Sequence, residues 1–340
     1  MKWIQDRDAS IDLMRCLGLL LILFAHVNLP ADNMWFQLRT FDVPMMIFIS
    51  GLSYSGRSTG PYFSFVWKRA KRLLIPLYLF LTLFFLVHWA SAALGWTEPI
   101  PADKIEGSYL MRLNPSINFV WIFRVFLIVM LITPPLVLLE KAVKRWWWVL
   151  LIFAAMLAGQ WLLIDWLKPK DLGRLVNDWL LYVLGYGSVF FLGLGMRNCK
   201  TVPGIAIILV ILAAFIPMAV DVAGERGSWL KMQAFKYPPG VYFILWGALM
   251  SCALWVSRSL WRPITRVKPL IFIGQNTIWM YLWHITLGYS YYRSDAISYW
   301  LKFVLFLFVP LVIVILQQLA VDYLGRKHPG WKKYLVYFKG

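Results

Sequence analysis

Residues 11–29 read IDLMRCLGLLLILFAHVNL, and this stretch decides the fold. It is almost wholly apolar and long enough to cross the hydrocarbon core of a membrane as one helix. Arg15 and His26 lie inside it, although ionisable side chains in a membrane helix are costly and usually functional. Their positions differ by eleven, so at 100° per residue they share one face to within about 20°, about 16 Å apart along the axis. The stretch therefore predicts a membrane helix with a charged group and a proton-exchanging group on the same face.

Composition extends this prediction to the whole chain. Of the 340 residues, 61% are hydrophobic and only 15% are charged, which excludes an ordinary soluble domain. We expect an all-α integral membrane protein with one domain, residues 1–340, and about ten transmembrane helices. The predicted spans are roughly 11–29, 37–56, 73–95, 119–139, 146–164, 179–197, 203–222, 239–257, 271–290 and 300–322.

The basic residues set the predicted orientation. The net charge is +18, which in a membrane protein indicates basic cytoplasmic loops facing anionic lipid rather than a nucleic-acid partner. Most Lys and Arg residues fall at the two ends of the chain and in the alternate loops on the same side. We therefore expect both termini, including a basic tail at about 324–340, in the cytoplasm. Arg15 then lies near the cytoplasmic face, and His26 lies in the outer half of the first span.

A second basic stretch, residues 67–72, reads WKRAKR and precedes the third predicted span. One interpretation is an ordinary cytoplasmic anchor. The other is an anion site, because Arg69 and Arg72 are three positions apart on a helix and can both face one phosphate group. With Arg15 on the same side of the membrane, the three arginines would suit a polyanionic nucleotide cofactor.

Two histidines are candidates for the chemistry. His26 is either a core histidine hydrogen-bonded to a neighbouring helix, a general base for an attacking hydroxyl, or itself the acceptor of an acyl group. His284, in the ninth predicted span, lies about as far from the cytoplasmic side as His26. The simpler interpretation of His284 is an interhelical hydrogen bond that fixes its span.

Weaker candidates lie nearer the outer face. Asp42 opens the second predicted span, where it either interacts with the helix dipole, orients a histidine, or binds a sugar hydroxyl. Arg124, in the fourth predicted span, either binds an acceptor carboxylate or phosphate or extends to the interface. Ser50-Gly51 favours close helix packing. The three cysteines have no metal-binding spacing, so we expect no metal.

Taken together, these motifs resemble the acyltransferase-3 family of membrane O-acyltransferases. Arg15 with His26 resembles the family's R-x10-H motif, and Arg69 with Arg72 resembles its R-x-x-R motif. The N-terminal quarter, which also contains Phe48 to Gly51, carries the strongest part of the resemblance. Looser similarity covers Trp121 to Pro134 and Ile273 to His284. The order and spacing of the motifs extend the resemblance over essentially the whole chain.

The resemblance implies an acyl-CoA-dependent enzyme of the plasma (inner) membrane. Such an enzyme takes an acyl group, usually acetyl, from cytoplasmic acetyl-CoA or another acyl-CoA. It passes that group to a hydroxyl of a cell-surface or lipid-linked carbohydrate. Arg15, Arg69 and Arg72 match positions associated with CoA handling, and His26 matches the position held to be catalytic.

The chain departs from many relatives in two ways. It carries no fused outer hydrolase-like domain, so we expect transfer to finish in the membrane domain or on a separate partner. Where many relatives have an acidic residue in an aromatic motif, this chain reads Trp121-Ile122-Phe123-Arg124, so no carboxylate base is carried over. A transporter or flippase for a lipid-linked sugar or organic anion is the alternative function, and a non-catalytic membrane subunit is a third.

Overall fold

The computed structural model describes residues 8–54, 60–143, 145–292, 294 and 296–339, and the elements within these ranges are all helical. The all-α prediction is therefore confirmed for the described chain. The α-helices are α1 (Ala9–Ala25), α2 (Met34–Leu38), α3 (Asp42–Tyr54), α4 (Tyr62–Ala93), α5 (Ala102–Tyr109), α6 (Trp121–Ala142), α7 (Trp146–Leu167), α8 (Leu181–Met196), α9 (Thr201–Arg226), α10 (Val241–Val256), α11 (Arg258–Trp261), α12 (Lys268–Gln275), α13 (Thr277–Tyr291), α14 (Tyr299–Lys327) and α15 (Lys332–Leu335).

The described helices make this a multi-pass membrane protein. Six of them are long and apolar enough to cross a membrane, and a seventh is added if α10 and the segment Arg258–Arg266, bent by 60°, form one span. The six are Tyr62–Ala93, Trp121–Ala142, Trp146–Lys170, Leu175–Met196, Thr201–Arg226 and Tyr299–Lys327. Each predicted span contains a helix, but α1, α3, α10 and α13 have only 17, 13, 16 and 15 residues. The count of about ten and the sides of the termini remain predictions.

The short helix α3 lies at the centre of the bundle, packed against α1, α8 and α10. Its backbone touches that of α8 through two facing glycines. A Cβ atom at Gly51 would lie 2.2 Å from the carbonyl oxygen of Phe190, and one at Gly193 would lie 2.2 Å from that of Phe48. The packing role predicted for Gly51 is confirmed, because no other residue leaves room for this contact.

Helix α1 is buried beside α3 and is held by the broken helix pair α12 and α13. A Cβ atom at Gly274 would lie 1.9 Å from the Asp12 carbonyl oxygen, so α12 crosses the start of α1 in backbone contact. Asn276 separates α12 from α13, which continues along α1 and packs against α14. This arrangement brings the first and the ninth predicted spans side by side.

We predict that Gly51→Ala and Gly193→Ala each lower the thermal unfolding temperature of the detergent-solubilised protein. The added methyl group collides with a backbone carbonyl, so the helices must separate, and overpacking of this kind costs about 1–3 kcal/mol or more. Gly224→Ala is the control, because a Cβ atom there has no neighbour within 4 Å. Wild-type unfolding temperatures in both test variants would contradict the α3–α8 packing.

Candidate functional site

One face of α1 lines a cavity of about 180 Å³ in the middle of the bundle. Arg15, Leu19 and Ile22 contribute to its wall at intervals of four and three residues, and His26 continues the same row at the end of the helix. Arg15 thus lies on the cavity face of α1, whereas His26 is the C-cap residue after the helix and does not line the cavity, so the face shared by the two stays a prediction. The remaining wall comes from α3, α4, α6 and α13, and it is mostly apolar.

At one end of the cavity, the Arg15 guanidinium is held by three helices. Its Nη1 lies 2.8 Å from Asp12 Oδ1, and its Nη2 donates to Ser53 Oγ of α3 at 2.8 Å. Asp12 is buried, and its Oδ2 accepts a hydrogen bond of 2.8 Å from Gln275 Nε2 of α12. The carboxylate compensates the arginine charge, so Arg15 stays in a fixed position beside the cavity.

Arg69 lies close to the same end of the cavity, because it contacts Tyr54, the residue that follows Ser53. Its guanidinium lies 4.8 Å from the centre of the Tyr54 ring, and both Arg69 and Arg72 are exposed on α4. Arg72 directly precedes Leu73, which lines the cavity wall. Arg15 and Arg69 therefore both lie beside the end of α3, and Arg72 is one helical turn from Arg69 on α4.

At the other end, His26 contacts His284. Their Nδ1 and Nε2 atoms, respectively, are 2.8 Å apart, and the ring planes differ by only 5°. His284 is completely buried, and its Nδ1 hydrogen-bonds the Tyr281 carbonyl oxygen of its own helix. Phe119 lies edge-on to His26 at a centroid distance of 4.6 Å. The common depth predicted for the two histidines is confirmed, and the interhelical bond of His284 is made to His26 itself.

Tyr281 connects the histidine pair to the cavity. Its side chain lines the cavity wall, its ring centre is 6.3 Å from that of His26, and its hydroxyl hydrogen-bonds the Phe119 carbonyl oxygen. The cavity therefore runs from a fixed arginine at one end to the surroundings of two paired imidazoles at the other.

A buried ion cluster lies beyond the histidines. Arg39 Nη1 is 2.6 Å from Asp42 Oδ2, and Lys236 Nζ is 3.5 Å from Asp42 Oδ1. All three side chains are buried, and both cations are close enough to His26 to interact with it electrostatically. Burial lowers the pKa of Lys236 to about 8, although the Asp42 carboxylate acts in the opposite direction.

Arg124 is also completely buried, so the alternative that it extends to the interface is wrong. Its Nη1 lies 3.4 Å from an Asp178 carboxylate oxygen, and its guanidinium lies 5.3 Å from the Tyr182 ring centre. Among the residues that the structure describes, none of its three nitrogens has a hydrogen-bond partner, and the same holds for the nearby hydroxyl of Tyr186. Buried guanidinium groups normally have such partners, so these N–H groups are suited to an anionic ligand or to water.

Sequence reasoning missed Arg39, Lys236 and Tyr186. Lys236 lies in a segment between two predicted spans, and Arg39 lies at the start of the second predicted span, 37–56, where it was counted only as a charge of the preceding loop. Tyr186 was one of many aromatic residues in apolar spans. One signal was present in the sequence: Lys236 lies between Phe235 and Tyr237, and the pair Pro238-Pro239 follows. In the described part of the chain, no three His, Cys, Asp or Glu side chains form a group able to hold a metal ion.

Comparison with known proteins identifies the family of the chain. Residues 8–317 match a family model described as an acyltransferase domain, of the acyltransferase-3 type. Comparison with curated proteins and comparison with solved structures gave no match. The matched range includes the cavity, both of its ends and the ion cluster. Since it also covers nearly the whole chain, the protein belongs to the acyltransferase-3 family.

Proposed function

We propose that the protein is an O-acyltransferase of the plasma (inner) membrane. It moves an acyl group, most simply acetyl, from cytoplasmic acyl-CoA to a hydroxyl of a cell-surface or lipid-linked carbohydrate. The observation that carries this proposal is the apolar cavity between Arg15 and the surroundings of the His26–His284 pair. An acyl donor with a charged head and an apolar arm is complementary to that arrangement.

The donor would bind with its phosphates near the arginine end. Arg15 is fixed by Asp12 and Ser53, while Arg69 and Arg72 are exposed and can adjust to a ligand. Guanidinium groups bind phosphate oxygens with paired, charge-assisted hydrogen bonds. The pantetheine arm would then follow the α1 face past Leu19 and Ile22, and the thioester would approach His26.

The chemistry would be performed at the His26 imidazole. As a general base, His26 takes the proton of the acceptor hydroxyl while the hydroxyl oxygen attacks the thioester carbonyl carbon. The carbon–sulfur bond then breaks, and the CoA thiolate takes up that proton. If His26 instead accepts the acyl group itself, its unprotonated ring nitrogen attacks the thioester carbon, the carbon–sulfur bond breaks, and the CoA thiolate takes up the proton of the other ring nitrogen. The acceptor hydroxyl oxygen then attacks the acyl carbon, the carbon–nitrogen bond breaks, and the hydroxyl proton passes to the imidazole.

The acceptor would approach from the side of the ion cluster. Asp42 already interacts with two cations, which leaves it suited to hold Arg39 and Lys236 in place rather than to act as a base. Arg124 has N–H groups without hydrogen-bond partners, which supports binding of a carboxylate or phosphate carried by the acceptor. Membrane lipid surrounds the protein, and the acceptor is either a carbohydrate or a lipid-linked sugar.

We predict that His26→Ala lowers acetyl-CoA turnover by the purified protein by about 100-fold or more, because loss of a general base typically has effects of this size. Affinity for acetyl-CoA should stay within a few-fold of wild type, since the phosphates bind at the other end of the cavity. The measurement is acetyl-CoA turnover together with equilibrium binding of acetyl-CoA.

His328→Ala is the matched control. This histidine stacks on Trp331 in the C-terminal segment, away from the cavity, and its loss should change neither quantity. Wild-type turnover in His26→Ala would remove His26 from the mechanism. If the wild-type protein bound neither acetyl-CoA nor longer acyl-CoAs, the transporter alternative would be favoured.

We also predict that Arg69→Ala and Arg72→Ala each weaken acetyl-CoA binding by about tenfold, and that added salt reduces the wild-type affinity. Each variant removes a cation that can reach the donor phosphates, whereas turnover at saturating acetyl-CoA should change little. The measurement is the Kd for acetyl-CoA at two ionic strengths.

Lys71→Ala is the control for lost charge on the same helix. Lys71 is about 200° around α4 from Arg69, and its ammonium lies 5.1 Å from the centre of the Trp67 ring. It should have little effect on affinity. If both arginine variants bound acetyl-CoA as the wild type does, the proposed clamp would be lost.

A further inference from the structure

The contact between His26 and His284 has a definite direction. The Tyr281 carbonyl oxygen can only accept a hydrogen bond, so the hydrogen bond from His284 Nδ1 requires a proton on that nitrogen. A neutral imidazole carries one N–H group. His284 Nε2 is then unprotonated and can only accept.

His26 must therefore supply the proton in the bond between the two rings. Its Nδ1 lies 2.8 Å from His284 Nε2, within ordinary hydrogen-bonding distance. With its single proton on Nδ1, neutral His26 has an unshared electron pair on Nε2. The two imidazole rings are closely packed, since His284 is completely buried and Phe119 packs against both rings.

The opposite direction would require a second proton on His284. That would place a positive charge on a completely buried ring, and no described carboxylate lies within ion-pair distance of it. An uncompensated buried charge is strongly unfavourable. The neutral arrangement, in which His26 donates and His284 accepts, is the one that the surroundings support.

We propose that His284 is a positioning residue that holds His26 in the tautomer protonated on Nδ1 and so keeps Nε2 free to act as the base or acyl acceptor. The effect on catalysis rests on the proposed function, but the tautomer of His26 does not depend on the substrate. His284 touches no reacting atom. It acts by fixing which nitrogen of His26 is available and in which direction the ring points.

The first test is the tautomer, measured by nitrogen NMR on protein labelled with ¹⁵N-histidine and reconstituted in lipid. The chain has only four histidines, so single substitutions assign the ring signals. In the wild type, His26 and His284 should both be protonated on Nδ1. In His284→Leu, His26 should lose this preference and become protonated on Nε2.

His284→Gln provides a conservative variant for the same measurement. The Gln carboxamide oxygen reaches about as far as the imidazole Nε2 and can accept the His26 Nδ1–H bond. His26 should therefore keep its Nδ1 proton. Protonation of His26 on Nε2 in the wild type, or an unchanged tautomer in His284→Leu, would overturn the proposal.

The second test is kinetic and uses acetyl-CoA as the probe. In His284→Leu, kcat should fall by about 100-fold, whereas KM should stay within about twofold, because the donor-binding end is untouched. His284→Gln should recover kcat to within about tenfold of wild type. Equal losses in the Leu and Gln variants would indicate a packing role and contradict the proposal.

His88→Leu is the matched control. This histidine of α4 packs edge-on against Tyr289 at a centroid distance of 5.3 Å and takes no part in the histidine pair. Neither the His26 tautomer nor kcat should change in this variant. If the wild type does not turn over acetyl-CoA, the proposed function fails, but the NMR measurement still decides whether His284 sets the tautomer.

Discussion

The backbone contact between α3 and α8 is the constraint on which the rest of the site depends. Helix α3 has only 13 residues, about 20 Å of helix, and the facing glycines hold it at the centre of the bundle. Its two ends support the two ends of the cavity. Ser53 holds Arg15 at one, and Asp42 holds Arg39 and Lys236 near the histidines at the other. A displacement of α3 would therefore disturb both ends together.

Charge compensation explains how so polar a centre is tolerated in an apolar bundle. Arg15 is paired with Asp12, Arg39 and Lys236 share Asp42, and Arg124 faces Asp178. A buried charge without a partner would be strongly unfavourable, and each of these charges has one. The pairs around Asp42 and Asp178 still leave an excess of positive charge beyond the histidines. Under the proposed function, that excess favours an acceptor that carries an anionic group.

How much of the site the sequence predicted depends on how local each feature is. The common face of Arg15 and His26 follows from helix geometry over eleven residues, and the cavity confirms the part of that face that Arg15, Leu19 and Ile22 form. The depth of His284 was predicted from its distance along a span. Its bond to His26 was not, because that contact joins residues 258 positions apart and depends on how α13 packs against α1. Lys236 was missed because helical periodicity says nothing about connecting segments, and Arg39 was missed because it was counted as a loop charge at the start of the second predicted span.

The predicted spans show the same limit. Apolar runs located a helix in every predicted span, but they did not show where the helices break. A 3₁₀ turn at Arg39–Phe41 shortens the second predicted span, and Asn276 divides the ninth. The second of these breaks lies beside a tertiary contact, the approach of Gly274 to Asp12. The helices α1, α3 and α13, which are too short to be counted as spans by length, carry Arg15, Ser53 and His284.

The chemical nature of His284, the partner of His26, also determines which other interactions have to increase the rate of transfer. His284 accepts the hydrogen bond from His26 through a neutral nitrogen and adds no negative charge, unlike a carboxylate in the same position. Orientation of the imidazole therefore has to be combined with exact placement of the thioester. Binding energy at a distant part of a substrate can supply that placement by restricting the motion of the reacting group. The arginine end, connected to the histidines by a rigid α1 face and by α3, is suited to this role. Under the proposed function, the fixed Arg15 contributes to the rate of transfer by placing the donor, whereas the exposed Arg69 and Arg72 contribute mainly to affinity for the donor.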